Sequence, residues 1–339
     1  MTTVAVLPGD GIGPAVIAET VKVLEVAAPC IEFVTIPVGL ASLHTYGEAL
    51  TSEHLELCAS CDAILFGAVG DNGDRCRPSD SLGKLRHVLD LYANLRPITF
   101  YSQPLCRVKD ISSFDILMVR ELSSGIYFGE QEKTRESASD VMKYTRAEIE
   151  RVARVAFSHA ECRRKRVTSV DKANVLTCSQ LWRETVSTLA SRYSIDLSHE
   201  LVDAFSMRAL LFPQEFDVVL TANLFGDILS DTLSVLSGSI GLLPSASYNV
   251  EKGYALFEPV HGSAPELESH LPNPLGAILS GAMMLEYLGM NNENIAIKQA
   301  VHRVIEKGFH TFDMYGEPEK EVTTQKMGDL MVAELNLAE

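Results

Sequence analysis

Short apolar runs alternate with segments of helical periodicity along almost the whole chain, and this alternation restricts the fold more than any other feature. Thr3-Val-Ala-Val-Leu7 reads as a strand, Pro8-Gly-Asp-Gly-Ile-Gly13 as a tight turn, and residues 15–26 as a helix with Pro14 in its first turn. Strand-like runs recur at 31–37, 62–66, 116–119, 166–170 and 216–220. Helical patterns recur at 82–91, 148–162, 179–191, 274–287, 293–307 and 325–335. Such a chain predicts α/β layers around a largely parallel sheet. Residues 129–140 are polar and charged, and predict an exposed arm or loop.

A length of 339 residues predicts two domains or one large α/β unit, and 46% hydrophobic content can fill its core. No internal repeat or low-complexity linker marks a boundary. The balance of 29 Lys+Arg against 45 Asp+Glu gives a net charge of −16, which argues against nucleic acid and anionic membranes as partners. It leaves small anionic substrates open, because they respond to local charge. No signal peptide or bilayer-spanning run is evident. The seven cysteines are odd in number and scattered, which fits a reducing cytoplasm. Cys58-Ala-Ser-Cys61 lacks a second pair at ligand spacing, so two buried or half-buried thiols at a helix end are expected rather than zinc. The basic run 163–166 fits a helix C-terminus.

Asn223-Leu-Phe-Gly-Asp-Ile-Leu-Ser-Asp231 sets Asp227 and Asp231 four residues apart. On a helix both carboxylates share one face, and two like charges that close repel unless a cation lies between them. Hard oxygen donors suit Mg²⁺ or Mn²⁺, although the same spacing also fits a solvated helix face. Gly9-Asp-Gly11-Ile-Gly13 follows a strand and opens a helix, but its spacing is wrong for a dinucleotide fingerprint, and no acidic residue closes the second strand. A tight turn near a site is the expectation instead. Arg86, Arg96 and Arg120 fall at the ends of α/β elements, where converging guanidiniums could clamp a dicarboxylate. Taken singly, each also fits a surface ion pair. Lys172 follows a strand and Tyr127 sits in Gly125-Ile-Tyr-Phe-Gly129, and either could do proton chemistry if its environment shifts its pKa.

Seven motifs occur in order over essentially the whole chain. They are Leu7-Pro-Gly-Asp-Gly-Ile-Gly-Pro14, Tyr92-Ala-Asn-Leu-Arg-Pro97, Val119-Arg-Glu-Leu-Ser-Ser-Gly-Ile-Tyr-Phe-Gly129, Ser169-Val-Asp-Lys-Ala-Asn-Val175, Asn223 to Asp231, Gly241-Leu-Leu-Pro-Ser-Ala-Ser247 and Glu258-Pro-Val-His-Gly-Ser-Ala-Pro265. Together they resemble the β-decarboxylating dehydrogenases of the isocitrate/isopropylmalate family, and most of all its isopropylmalate branch. The resemblance implies a two-domain fold with a non-Rossmann NAD site. Residues 1–98 and 239–339 would form the first domain, and 99–238 the second, with a dimer arm and the metal site. It implies Mg²⁺ or Mn²⁺ on Asp227, Asp231 and Asp203, the last from a second copy in a homodimer with shared active sites. Arg86, Arg96 and Arg120 would bind the malate carboxylates and Leu82 the variable substituent. Tyr127 and Lys172 would be the acid–base pair, with Lys172 also crossing between subunits. His261, Gly262, Ser263, Ala264, Pro265, Glu266, Asn273 and Asn174 would hold NAD, Glu266 taking the ribose hydroxyls and disfavouring NADP.

The implied reaction is NAD-dependent oxidative decarboxylation of 3-isopropylmalate to 4-methyl-2-oxopentanoate, in leucine biosynthesis. The segment before Arg86 departs from the family pattern. Ser79 stands where an acid is expected, and Gly83 replaces the second leucine of a pair that begins at Leu82. A missing apolar wall implies room for a bulkier alkylmalate or 3-benzylmalate. Asp80, where an isocitrate enzyme would place serine, would repel a third substrate carboxylate. Tartrate or D-malate dehydrogenases are alternatives with the same chemistry. A silent regulatory subunit would have lost part of the Tyr/Lys/Asp set, which is complete here.

Overall fold

The computed structural model describes residues 2–70, 76–111 and 113–337. Ten strands form one sheet: β1 (Thr2–Gly9), β2 (Ile31–Thr35), β3 (Ala63–Ala68), β4 (Ala93–Thr99), β5 (Asp115–Glu121), β8 (Arg166–Asp171), β9 (Asp196–Leu201), β10 (Val218–Thr221), β11 (Pro244–Asn249) and β12 (Tyr254–Pro259). Their order is β2-β1-β3-β12-β11-β4-β5-β10-β8-β9. Two parallel blocks flank an antiparallel centre, because β11 pairs antiparallel with β12 and β4, and β4 antiparallel with β5. Six of the nine strand pairings in this sheet are parallel, which bears out the expectation of a largely parallel sheet, and the antiparallel centre is a local departure from it. Its cause is local: β11 and β12 are joined by a short turn ending at Gly253 (φ +71°), which permits an antiparallel hairpin but no crossover. Strands from residues 2–99 and 244–259 fill one side of the sheet, and strands from 115–221 the other.

Helices cover both faces. On one lie α1 (Gly13–Ala27), α5 (Arg146–Glu161), α6 (Thr177–Ala190), α9 (Leu275–Tyr287), α10 (Asn291–Glu306) and α11 (Thr324–Asn336). Residues 275–285 of α9 are buried all round, as expected for a helix between a sheet and other helices. Thr145 and Glu148 form a capping box that starts α5. The other face carries α4 (Leu82–Val88), α7 (Val202–Leu211) and α8 (Asn223–Ser237). Leu85 of α4 packs on Leu7, Ile64 and Phe66, and Leu229 and Leu233 of α8 pack on Met118 and Val219. The polar segment 129–140 carries a two-stranded ribbon, β6 (Gln131–Lys133) with β7 (Ala138–Asp140), exposed throughout. Cys58 is buried and Cys61 half-buried at the end of the helix Ser52–Ser60, and burial holds the Cys58 thiol up at about 12.

Candidate active site

The amino-terminal half of β4, the end of β5 and the first two turns of α8 converge on one face of the sheet. Arg96 precedes Pro97, which favours the extended backbone it adopts in β4. Its guanidinium is 5% exposed; Nε donates to Asn94 Oδ1 at 2.8 Å and Nη1 to Ser230 Oγ at 2.6 Å. Arg96 also lies 3.6 Å from Asp227 and 3.5 Å from Asp231. Arg120 ends β5, with Nε and Nη2 donating to Asn223 Oδ1 at 3.1 and 2.8 Å and Nη1 to Asp227. Gly226 makes this possible, since a Cβ there would lie 2.7 Å from Arg120 Cγ. The glycine inside the Asn223–Asp231 motif is thus a seat for an arginine stem. Burial, followed by the charge of Arg120, draws the Arg96 guanidinium down to about 9, still a cation at neutral pH.

Asp227 and Asp231 share a face of α8, as their spacing predicts. Burial raises the Asp227 pKa, but Arg120, Arg96 and the Tyr127 hydroxyl outweigh it and hold the carboxyl below its usual range. Asp231 is raised: burial dominates, Arg96 opposes it and Asp227 adds to it. Tyr127 donates its hydroxyl to Asp227 Oδ2 at 2.8 Å. Burial and then that hydrogen bond raise its pKa, so the phenol stays protonated at neutral pH. Arg86, on α4, pairs with the buried Glu258, while its Nε is buried and has no partner among the described residues. A buried, unspent N–H beside two further guanidiniums is a donor left for a ligand. The oxygen donors of Asp227 and Asp231 suit a hard divalent cation, which would relieve the repulsion between them.

Lys172 and Asp203 form a separate pair. Lys172 follows β8, Asp203 opens α7, and the two are ion-paired. Among the described residues, no three His, Cys, Asp or Glu side chains gather as a metal cluster, so Asp203 does not join Asp227 and Asp231 within one chain.

The loop after β12 carries the remaining candidates. His261 Nδ1 lies 3.0 Å from Gly262 O, and its Nε2 is buried without a partner among the described residues. Burial lowers its pKa. Ala264 adopts a left-handed backbone (φ +35°). Ser263 O accepts the Ile12 N–H at 2.9 Å, and a Cβ on Gly11 would lie 2.1 Å from that oxygen. The glycine-rich turn at 9–13 therefore buttresses this loop. Gly262 and Glu266 are exposed and Pro265 half-buried. The buried Asn273 spends its side chain within the protein, donating to Asp313 at 3.2 Å and accepting from Leu275 N at 3.0 Å. Asn174 is exposed in the turn after β8, and Leu82 is half-buried at the start of α4.

Five residues not singled out as candidates complete the site. Asn94, Asn223, Ser230 and Glu258 orient the arginines, and Asp10 accepts from Leu40 N at 2.8 Å and Gly70 N at 3.1 Å, fixing the turn under Ser263. All but Ser230 are polar residues on or beside strands within the quoted motifs, where an unpaired amide or carboxylate would be costly.

The isocitrate/isopropylmalate dehydrogenase family profile matches residues 3–331. The 3-isopropylmalate dehydrogenase of Moorella thermoacetica is 46% identical over 99% of both chains. That of Thermotoga maritima is 45% identical over 98% of both. The isocitrate dehydrogenase structure from Methylococcus capsulatus superposes with a TM-score of 0.91 at 34% identity, covering 99% of both chains. A β-decarboxylating dehydrogenase from Thermococcus kodakarensis gives 0.84 at 39% identity, over 99% of this chain and 96% of that one.

Proposed function

This chain belongs to the isocitrate/isopropylmalate dehydrogenase family, and we propose that it oxidises and decarboxylates 3-isopropylmalate with NAD, giving 4-methyl-2-oxopentanoate, CO₂ and NADH. The observation that carries this reading is the gathering of Arg96, Arg120 and Tyr127 around Asp227, with a donor of Arg86 left unspent. The three arginines hold the two malate carboxylates. Lys172 takes the C2 hydroxyl proton, directly or through water, and a bound NAD would supply the hydride acceptor. The protonated Tyr127 returns a proton to the carbon that loses CO₂. Asp227 and Asp231 would hold a divalent ion, which would supply the electron sink for that loss.

Asp203 and Lys172 act in the neighbouring site of a homodimer. Exposed apolar side chains on α7 and α8 (Met207, Leu211 and Ile228) support an interface there. Residues 1–98 with 239–339 and residues 99–238 form the two domains, the second including the ribbon at 131–140 as a dimer arm. The loop 261–266, with Asn273 and Asn174, holds NAD, and exposed Glu266 favours NAD over NADP. The odd number and scatter of the seven cysteines suit a cytoplasmic enzyme, and among the described residues no helix is long and apolar enough to cross a membrane.

Gly83 supports a second reading. A Cβ at Gly83 would meet nothing closer than Pro78 O at 3.6 Å, so a side chain has room there and none fills it. A bulkier 3-substituent such as benzyl then fits the space beside Leu82. Initial rates of NADH and CO₂ formation with 3-isopropylmalate, 3-benzylmalate, D-malate and tartrate, with and without Mg²⁺ or Mn²⁺, decide between them. The first reading requires the highest kcat/KM with 3-isopropylmalate and fails if D-malate or tartrate leads.

A further inference from the structure

The strands that present Arg96 and Arg120 on one face close a second space on the other. Side chains alternate along β4, so Arg96 faces α8 while Leu95 and Pro97 face the opposite helical layer. With Leu117 of β5 and Tyr248 of β11 they floor a cavity of about 750 Å³. One wall is α5 and the other is α9 with α10. The helices of these walls pack on different parts of the sheet, and the cavity is the gap they leave. Its volume lies within the ~300–1,000 Å³ typical of small-molecule pockets.

Four polar side chains of this space are unspent. Among the described residues, none hydrogen-bonds the hydroxyls of Tyr101 and Tyr248 or the imidazoles of His159 and His302, which all line it. The Tyr101 ring lies 5.1 Å from that of His302, and Tyr248 stacks on Tyr287 at 5.6 Å. The lining cations are already matched. Arg163 pairs with Asp115 at 2.9 Å and Asp217 at 2.8 Å, and Lys298 with Glu286 at 3.3 Å.

We propose that this cavity binds a planar aromatic molecule with one hydrogen-bond-accepting group and at most one negative charge. Tyrosine and imidazole rings offer edge and stacked contacts, and Met283 a thioether against a ring. The phenols and imidazole N–H groups donate to the acceptor. A second negative charge would face Asp115 and Glu286 with both nearby cations already engaged. One strand thickness separates this cavity from the arginine cluster, so both can be filled together. The inference is independent of which malate the enzyme oxidises.

The probe is 1-anilinonaphthalene-8-sulfonate, an aromatic monoanion, titrated into the whole protein with saturating NAD and Mg²⁺ to block the cofactor loop. One probe per chain is expected to bind with enhanced fluorescence. Cys162 lines the cavity and is exposed, so its alkylation, followed by peptide mass spectrometry, should slow several-fold while that of exposed Cys30 does not change. The double variant Tyr101→Phe/His302→Leu should bind about tenfold more weakly, the scale of one or two lost hydrogen bonds. Absence of binding under NAD, binding that leaves Cys162 unprotected, or wild-type affinity in the double variant each overturns the proposal. Cys162 protection is read on the unaltered protein, so a misfolded variant does not spoil the test.

Discussion

The cluster at Asp227 and the pair at Lys172 differ in how firmly the chain holds them. Arg96 and Arg120 are 5% and 3% exposed, and each is fixed by a neutral side chain as well as by carboxylates. The Lys172 and Asp203 side chains are 26% and 64% exposed, and they have only each other. A buried, several-fold satisfied cluster keeps its geometry without a ligand. An exposed single pair is worth little to stability and is free to exchange partners. In the proposed homodimer, one half of the site would be finished by folding and the other by assembly. On that proposal a single chain brings Asp227 and Asp231 together and leaves Asp203 to the neighbouring site.

The largest expected effect tests that division directly. Lys172→Ala and Tyr127→Phe should each lower kcat by about 10²–10⁴, the scale of a positioned acid or base. Lys172→Ala should leave the melting temperature unmoved. Co-refolding the two inactive variants should restore about a quarter of wild-type activity, because half the dimers are mixed and each contains one intact site. No recovery in a verified mixed dimer would place Lys172 in its own chain's site. Arg120→Met probes the finished half. It leaves Asp227 and Asn223 without their principal partner and should destabilise the protein by about 3–5 kcal/mol in urea unfolding, besides abolishing turnover. A stable, merely slow Arg120→Met protein would remove the claim that this cluster is part of the folded core.

The two regions were also unequally legible in the sequence. Periodicity placed the strands around Leu7, Phe66, Val119 and Leu220 and the helices that cover them, because buried runs and 3.6-residue faces are written locally. It missed β9, whose polar, half-exposed residues do not read as a strand, and α7 beside it. The antiparallel centre was hidden because strand direction depends on which distant runs meet. Asp227, Asp231 and Tyr127 were visible as spacing and residue type, and the structure brings them together with Arg96 and Arg120. The role of Gly226 beneath Arg120, and of Gly11 beneath Ser263, depends on a close approach between segments about 100 and 250 residues apart, which no local pattern encodes.

A smaller effect comes from the cation. Mg²⁺ at about 100 times its dissociation constant should stabilise the folded dimer by about 2.7 kcal/mol per site, read as a thermal shift without substrate. Asp231→Asn should remove the shift through the finished half. Asp203→Asn should remove it too, although Asp203 is remote from Asp231 within one chain. A full Mg²⁺ shift in Asp203→Asn would confine the metal to one subunit.

The smallest effect separates the two carboxylates of α8 by pH in the metal-free protein. Asp227 has a lowered folded pKa, so its contribution is present above the ordinary aspartate range, near 3.9, and is lost as pH falls through the folded value. Asp231 has a raised folded pKa, so its ionisation opposes folding at neutral pH, and protonation relieves that cost as pH falls. On acidification, urea midpoints should therefore gain slightly above about pH 4 from Asp231 and lose below it from Asp227. Asp231→Asn should erase the gain and Asp227→Asn should flatten the loss. Both carboxylates are more than a third exposed, so solvent keeps these changes small. If the two variants gave the same pH profile, the arginines would not be distinguishing between the carboxylates, and the asymmetry built by Arg120 and Tyr127 on Asp227 would have no energetic consequence.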